Sequence, residues 1–165
     1  MSKRILMLAA AVLLAAIPAR AEEGLITFKS MTLETATKAA MGAVESCRAG
    51  GFQVTVAVVD RGGNLQVLLR DRYAGPLTPE TAKSKARTAV SFRTDTIELV
   101  DATAAGTPQS GARHIPGVVM LGGGVVIEAA GTIVGGIGVS GAPSGRNDDA
   151  CARQGIEAVA DVLAF

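Results

Sequence analysis

The feature that most constrains the fold of this sequence is an apolar segment rich in glycine near its carboxyl end. Over residues 132–140, β-branched residues alternate with glycines at positions 135, 136 and 138, and a further glycine follows at position 141. Glycine in a strand leaves room for a second backbone, a packed helix or a ligand to approach closely. The segment therefore predicts a strand against which another part of the molecule packs at short range.

The same glycines fit a dinucleotide-binding pattern, which the context excludes. Gly136, Gly138 and Gly141 have the spacing G-x-G-x-x-G. A dinucleotide site needs the helix and second strand of a βαβ unit after that pattern, with an acidic residue to bind the ribose. Only 24 residues follow Gly141, which is too few.

The amino terminus has the pattern of a secretory signal peptide at residues 1–21. Lys3 and Arg4 precede an apolar run over residues 5–17, and Ala-Arg-Ala at 19–21 is typical of a cleavage site. The apolar run is too short to cross a bilayer. We expect a periplasmic or secreted mature protein with an N-terminal arm at residues 22–31 and a single domain at residues 32–165.

The charge of the expected mature chain excludes two classes of partner. Cleavage after residue 21 removes three cations and no acids, which leaves 13 cations against 15 acids. A chain with this balance is not drawn to nucleic acid or to an anionic membrane surface. We expect neither as a partner.

The elements alternate between helical and strand patterns, in the order α-β-β-α-α-β-β-β-α. Apolar spacing and turn residues predict helices over 32–49, 78–92, 94–104 and from 147 or 148 onward, and strands over 53–60, 65–70, 118–121, 125–129 and 132–140. Thr32 and Thr78 are the expected helix caps, Asp60 and Asn64 the residues that brace the first hairpin. In the last helix, Ile156, Val159, Ala160 and Leu163 are expected to point inward. Strands joined by hairpins predict a five-stranded antiparallel sheet flanked by helices, an α+β arrangement.

Two groups of residues have the chemistry of a ligand site. Gly122, Gly123 and Gly124 form either a turn or bulge, or an open patch for a flat ligand. Lys85 and Arg87 lie two positions apart on the second helix and so point in different directions. They are either solvated or, with a carboxylate or propionate as partner, part of a binding site.

His114 is the only histidine, and it lies in a segment over 105–117 that is predicted to be a loop. A Ser-His-Asp triad would need this histidine, and no nucleophile elbow accompanies it. His114 is either a surface residue or an axial haem ligand, for which Met120 and Tyr73 are alternatives.

Cys47 and Cys151 are the only cysteines. In an oxidising compartment they can form a disulfide, and otherwise they are separate buried or reactive thiols. Cys151 is expected near the start of the last helix, where the helix dipole favours a thiolate that could act in redox chemistry or bind haem iron.

The sequence as a whole resembles the haem-binding GlcG/HbpS family over residues 32–165. Four motifs in the family's order carry the resemblance: a strand and hairpin at 56–65, Lys-Ala-Arg-Thr-Ala at 85–89, the glycines at 122–124 with the strand after them, and Asp-Asp-Ala-Cys at 148–151. The resemblance implies a profilin-like α/β layer fold, homo-oligomers, haem as cofactor in some members and association with enzymes in others. This chain departs from some members because its first helix contains no histidine.

Two functions follow as hypotheses. In the first, an exported binding or sensing module holds haem or another tetrapyrrole between the glycines at 122–124, the second helix with Lys85, Arg87 and Thr88, and the loop that carries His114. In the second, the domain is a non-catalytic accessory partner of a periplasmic oxidoreductase. An enzyme acting through Cys151 or Asp149 is the weakest alternative, because no arrangement of base, nucleophile and orienting group is visible.

Overall fold

The computed structural model describes Gly24 and residues 26–164, so the predicted signal peptide and the first residues of the arm lie outside it. Residues 26–32 contain no helix or strand, in keeping with an arm. The elements that follow are α1 Leu33–Ala49, β1 Thr55–Asp60, β2 Leu65–Arg70, α2 Thr78–Phe92, α3 Thr96–Ala102, a 3-10 helix Ser110–His114, β3 Gly124–Ala129, β4 Thr132–Ser140, α4 Gly145–Glu157 and α5 Ala160–Leu163. Within this range no helix has the length and hydropathy needed to cross a bilayer.

The sheet is antiparallel throughout, with the order β2-β1-β4-β3 in the described part of the chain. The predicted mixed α and β class with an antiparallel sheet is confirmed, but the fifth strand, over 118–121, is wrong. The Val119 N–H donates to Thr88 Oγ1 at 3.0 Å, and Met120 is buried without pairing to a strand. A side chain of α2 therefore takes the backbone group that a strand would have paired. The profilin-like description stays a prediction.

Most helix ends follow from local side chains. Thr32 caps α1 as expected, because its Oγ1 accepts the Thr35 N–H at 3.2 Å. The expected cap at Thr78 is wrong, since its hydroxyl contacts Gly75 O and Thr55 Oγ1, each at 2.7 Å. The last long helix begins earlier than predicted, at Gly145, because Ser144 Oγ accepts the Asn147 N–H.

The carboxyl end differs from the predicted continuous helix. α4 ends at Glu157 and a separate short helix, α5, begins at Ala160. Because the two helices do not share one continuous inward face, only part of the predicted set is buried. Val159 and Leu163 are buried as predicted, whereas Ala160 is exposed.

Asp60 braces the β1–β2 turn as predicted. Its Oδ1 accepts N–H groups from Gly62 at 2.8 Å and Asn64 at 2.9 Å, and the Asn64 side chain donates to Oδ2 at 3.0 Å. Partial burial raises the pKa of Asp60, but the hydrogen bonds from Asn64 and Gly62 together outweigh it and lower the pKa overall. The turn therefore depends on the ionised carboxylate.

The two faces of the sheet pack against helices at different distances. One face, covered by α1 and α4, carries valine and isoleucine side chains such as Val56, Val58 and Ile137. The other face is covered by α2, whose backbone lies very close to β4 at Gly138. A Cβ at Gly138 would overlap the carbonyl oxygen of Ala82 and lie 2.7 Å from the nitrogen of Ala86. The predicted close approach to this glycine-rich strand is confirmed, and the approaching partner is a helix backbone.

Gly138→Ala is expected to lower the free energy of unfolding by about 3 kcal/mol, since the added methyl group must displace the backbone of α2. The matched control is Gly111→Ala, where a Cβ would meet no atom within 4 Å. That variant should unfold within about 0.5 kcal/mol of the parent protein. Urea denaturation followed by far-UV circular dichroism measures both values, and equal losses in the two variants would contradict this account of the packing.

Candidate functional site

A groove between α2, α3 and the start of α4 combines a polar floor with apolar walls; we call it the α2–α4 groove. Its volume is about 560 Å³. The lining residues are Thr78, Thr81, Lys85, Ile97, Val100, Leu121, Gly122, Ser140, Gly141, Ala142, Pro143, Ser144, Gly145, Arg146 and Asp148. Cavities of this size hold small organic ligands.

A buried ion pair forms part of the floor. Lys85 is only 2% exposed, and its Nζ donates to Asp148 Oδ2 at 2.7 Å and to the carbonyl oxygen of Val139 at 2.9 Å. Asp148 Oδ1 accepts the Ala142 N–H at 3.0 Å. Burial raises the pKa of the Asp148 carboxyl, and the Lys85 charge and hydrogen bond reverse only part of that rise. The pair joins α2, β4 and α4 at one point.

Two further polar groups of the groove have no protein partner among residues 24 and 26–164. Ser140 is 8% exposed, lines the groove and makes no hydrogen bond through its hydroxyl. Arg146 is exposed at the rim and pairs with no carboxylate of the described residues. Sequence reasoning did not single out either residue, because neither belongs to a recognisable local motif.

The walls that α3 and α4 supply are connected through Arg153. Its Nε donates to Asp149 Oδ2 at 2.7 Å and its Nη2 to Asp95 Oδ2 at 2.8 Å. Asp95 Oδ1 in turn accepts the Val126 N–H at 2.9 Å. The Asp149–Arg153 contact follows the i, i+4 spacing of a helix and was visible in the sequence, whereas the contact to Asp95 was not.

The triple glycine is closely packed. Gly122, Gly123 and Gly124 are all buried, and Gly123 has a positive φ of 110°. A Cβ would lie 2.8 Å from Gly145 O at Gly122, 2.8 Å from Val139 O at Gly123, and 2.7 Å from Thr96 Cγ2 at Gly124. The structure does not present these glycines as an open patch, and only Gly122 lines the groove.

The predicted site residues of α2 face two different cavities, as their spacing on the helix indicates. Lys85 faces the groove, whereas Arg87 and Thr88 line a different cavity of about 320 Å³ beside residues 115–118. Arg87 is exposed, and Thr88 is buried with its Oγ1 accepting the Val119 N–H. The single pocket expected from Lys85, Arg87, Thr88 and the three glycines is therefore not assembled.

His114 is exposed at a third cavity of about 530 Å³, which we call the His114 cavity. Its lining residues are Val100, Asp101, Ala104, Ala105, Gly106, Ser110, Arg113 and His114. Val100 also lines the α2–α4 groove, so the two cavities meet at α3. The alternative ligands Tyr73, which is 77% exposed, and Met120, which is buried, line neither cavity.

Cys47 and Cys151 form a disulfide between α1 and α4, with their Cα atoms 5.4 Å apart. Both residues are buried. Cys151 is therefore not a thiolate that could bind iron or act in catalysis in this state. Within the described residues, no group of three or more histidine, cysteine, aspartate or glutamate side chains could hold a metal ion.

Comparison with known families decides the classification. The model of the haem-degrading HbpS-like protein family matches residues 31–157, most of the chain. The chain belongs to the HbpS-like family. The resemblance seen in the sequence is thereby confirmed.

Solved HbpS-like structures share this architecture. The crystal structure of a double mutant of Streptomyces reticuli HbpS is 46% identical, with a TM-score of 0.77 over 87% of this chain and 97% of that one. A crystal structure of a PduOC–heme complex is 30% identical, with a TM-score of 0.73 over 79% of this chain and 95% of that one.

A curated relative contains a similar region within a larger protein. The corrinoid adenosyltransferase PduO of Salmonella typhimurium is 38% identical over 101 residues, which are 60% of this chain. The matched region is 30% of the length of that enzyme. An HbpS-like domain thus resembles one part of a longer chain.

Proposed function

We propose that this HbpS-like protein is an exported module that binds or senses haem or another tetrapyrrole, in the periplasm or outside the cell, as a homo-oligomer. Family membership and the haem complex of a 30% identical structure support the haem part. The signal-peptide pattern supports export. The observation that carries the proposal is the exposed imidazole of His114 at the edge of a ligand-sized cavity.

The residues of the His114 cavity would hold a haem through the imidazole of His114. A neutral imidazole nitrogen binds haem iron in many proteins. Ala104, Ala105 and Gly106 are small residues, which would leave room for a planar ring to lie close. None of the described residues that line the α2–α4 groove is a histidine, methionine, cysteine or tyrosine, so iron coordination from that groove is not available.

His114 lies on a fixed element rather than on a free loop. The guanidinium of Arg113 donates through Nε to Thr103 O at 2.5 Å and through Nη2 to Val100 O at 2.6 Å. These bonds attach the 3-10 helix to the end of α3. When bound, haem supplies an iron centre, and this chain contributes the imidazole, the small-residue surface and the anchored helix.

A haemin titration of the protein from Glu22 onward, followed through the Soret band, tests the proposal. We expect a saturable one-to-one change in the parent protein. His114→Ala should shift the band and weaken binding by about tenfold or more, since an axial bond is lost. The matched control is Tyr73→Phe, which removes another exposed ligand candidate and should change neither value.

If His114→Ala leaves both the saturation and the band position unchanged, the protein binds haem but His114 is not the ligand of the iron. The absence of any saturable band would overturn haem binding.

The second candidate is an accessory partner of a periplasmic oxidoreductase. The observation that favours it is the match to 30% of an enzyme chain, which indicates that related domains occur beside catalytic ones. This function predicts that the protein shows no saturable haemin binding. It also predicts that a larger enzyme co-purifies with the exported protein. Saturable haemin binding by protein that purifies alone would contradict it.

A further inference from the structure

We propose that the α2–α4 groove is a binding site for a monocarboxylate carried on an apolar body. The site combines Lys85 and Ser140 in its floor with Arg146 and the first turn of α4 at its rim. It lies apart from His114, which lines a different cavity. It therefore adds a second ligand-binding function beyond iron coordination.

Residues that carry hydrogen-bond donors without a protein acceptor line the groove. Lys85 Nζ has three protons, and its two hydrogen bonds leave one of them for a ligand. The first N–H groups of a helix have no partner within the helix, and among the described residues those of Gly145 and Arg146 have no other acceptor. Such groups favour an anion.

Ser140 is the independent observation that points to a ligand. Its side chain is more than nine-tenths buried, lines the groove, and has no partner among residues 24 and 26–164. The hydroxyl oxygen is itself reachable from the groove, so a ligand can hydrogen-bond to it without displacing a protein partner. A ligand oxygen in the groove supplies the missing partner.

The charge of the site selects a monoanion. Lys85 and Asp148 neutralise each other, and Asp148 is the only acid among the described lining residues. Arg146 then leaves the groove with a single uncompensated positive charge. A phosphate dianion would exceed that charge and approach the Asp148 carboxylate, whereas one carboxylate matches it.

The apolar walls of the groove favour a ligand whose carboxylate is attached to an apolar body. Ile97, Val100, Leu121 and Pro143 line the groove with apolar atoms, and Leu121 is 54% exposed. Burying a hydrocarbon body against them removes apolar surface from water on both sides. A small acid with an aliphatic or aromatic body satisfies both the floor and the walls.

Calorimetric titration of the haem-free protein with hexanoate tests the site, with hexanamide and inorganic phosphate as matched ligands. We expect saturable binding of hexanoate, at least about tenfold weaker binding of hexanamide because the charge-assisted bonds are lost, and no binding of phosphate. Ser140→Ala and Arg146→Gln should each weaken hexanoate binding by about fivefold or more. The control variants Ser91→Ala and Arg72→Gln replace exposed residues outside the groove and should bind like the parent protein.

The absence of hexanoate binding, or equal binding of hexanamide, would overturn the site, and so would parent-like binding by both groove variants. These titrations use no haemin, so their result is independent of the proposed haem function. The carboxylate can belong to a free acid or to a tetrapyrrole propionate. Haemin titration at saturating hexanoate distinguishes the two. Weakened haemin binding would show that a haem propionate occupies the groove, and unchanged binding would show that the groove takes a free acid. The carboxylate site stands in both cases.

Discussion

Replacing Cys47 and Cys151 together by alanine is expected to lower the free energy of unfolding by about 4–5 kcal/mol, the value for a crosslink that closes a loop of roughly 100 residues. The two cysteines are 104 residues apart in sequence, and their bond connects the first long helix to the last. Without it, the unfolded chain gains conformational freedom that folding must then remove. Chemical denaturation followed by far-UV circular dichroism gives the difference.

Reduction supplies the control for the cysteine variant. The parent protein in excess reductant should unfold at nearly the same denaturant concentration as the double alanine variant, whose own midpoint should not respond to reductant. If reductant leaves the parent midpoint where it was and thiol titration finds two free groups, the disulfide does not form and this expectation is wrong.

The second large effect is expected for Lys85→Met, which should cost about 3–5 kcal/mol. Methionine replaces most of the apolar volume of lysine but leaves the Asp148 carboxylate buried without its cation. The double variant Lys85→Met and Asp148→Asn removes both charges and keeps an oxygen to accept the Ala142 N–H. It should recover most of the lost stability, and a double variant as unstable as the single one would contradict the role of charge.

The pH dependence of Lys85→Met follows from the pKa of Asp148. Burial already raises that pKa, and removing the Lys85 charge removes the main opposing effect, so the pKa rises further. A carboxyl group whose pKa is higher in the folded protein stabilises the fold below its unfolded pKa and loses that contribution as pH rises through the folded pKa. The stability gap between parent and variant should therefore widen as the pH rises above the unfolded pKa of aspartate toward the raised folded pKa of Asp148 in the variant. A gap that stays constant would show that Asp148 does not titrate in the variant.

Local patterns predicted those parts of the fold that local interactions determine. The cap at Thr32 and the turn at Asp60 depend on groups within four residues of each other, and both were correct. The segment over 118–121 has the apolar residues of a strand, yet a hydroxyl 31 residues away, on Thr88, takes its backbone N–H. No periodicity in the sequence reports a contact of that range.

The site shows the same division. The Lys-Ala-Arg-Thr-Ala motif and the Asp148–Asp149 pair were recognised separately, but the bond between Lys85 and Asp148 spans 63 residues and appears only in the fold. Ser140 and Arg146 were missed because only the fold shows that they line the groove and have no protein partner among the described residues. The glycines at 122–124 were recognised as unusual, and the structure shows that backbone packing requires them.

The link that Arg153 makes between α3 and α4 has a consequence for what can enter the groove. Neither Arg153 nor its partners Asp95 and Asp149 line the groove, so a guest molecule does not touch the bonds that set the separation of the two walls. Spreading the walls would break those bonds. A guest that fits the groove as it stands therefore leaves both Arg153 bonds intact, whereas a guest that needs the walls farther apart binds at the cost of those bonds.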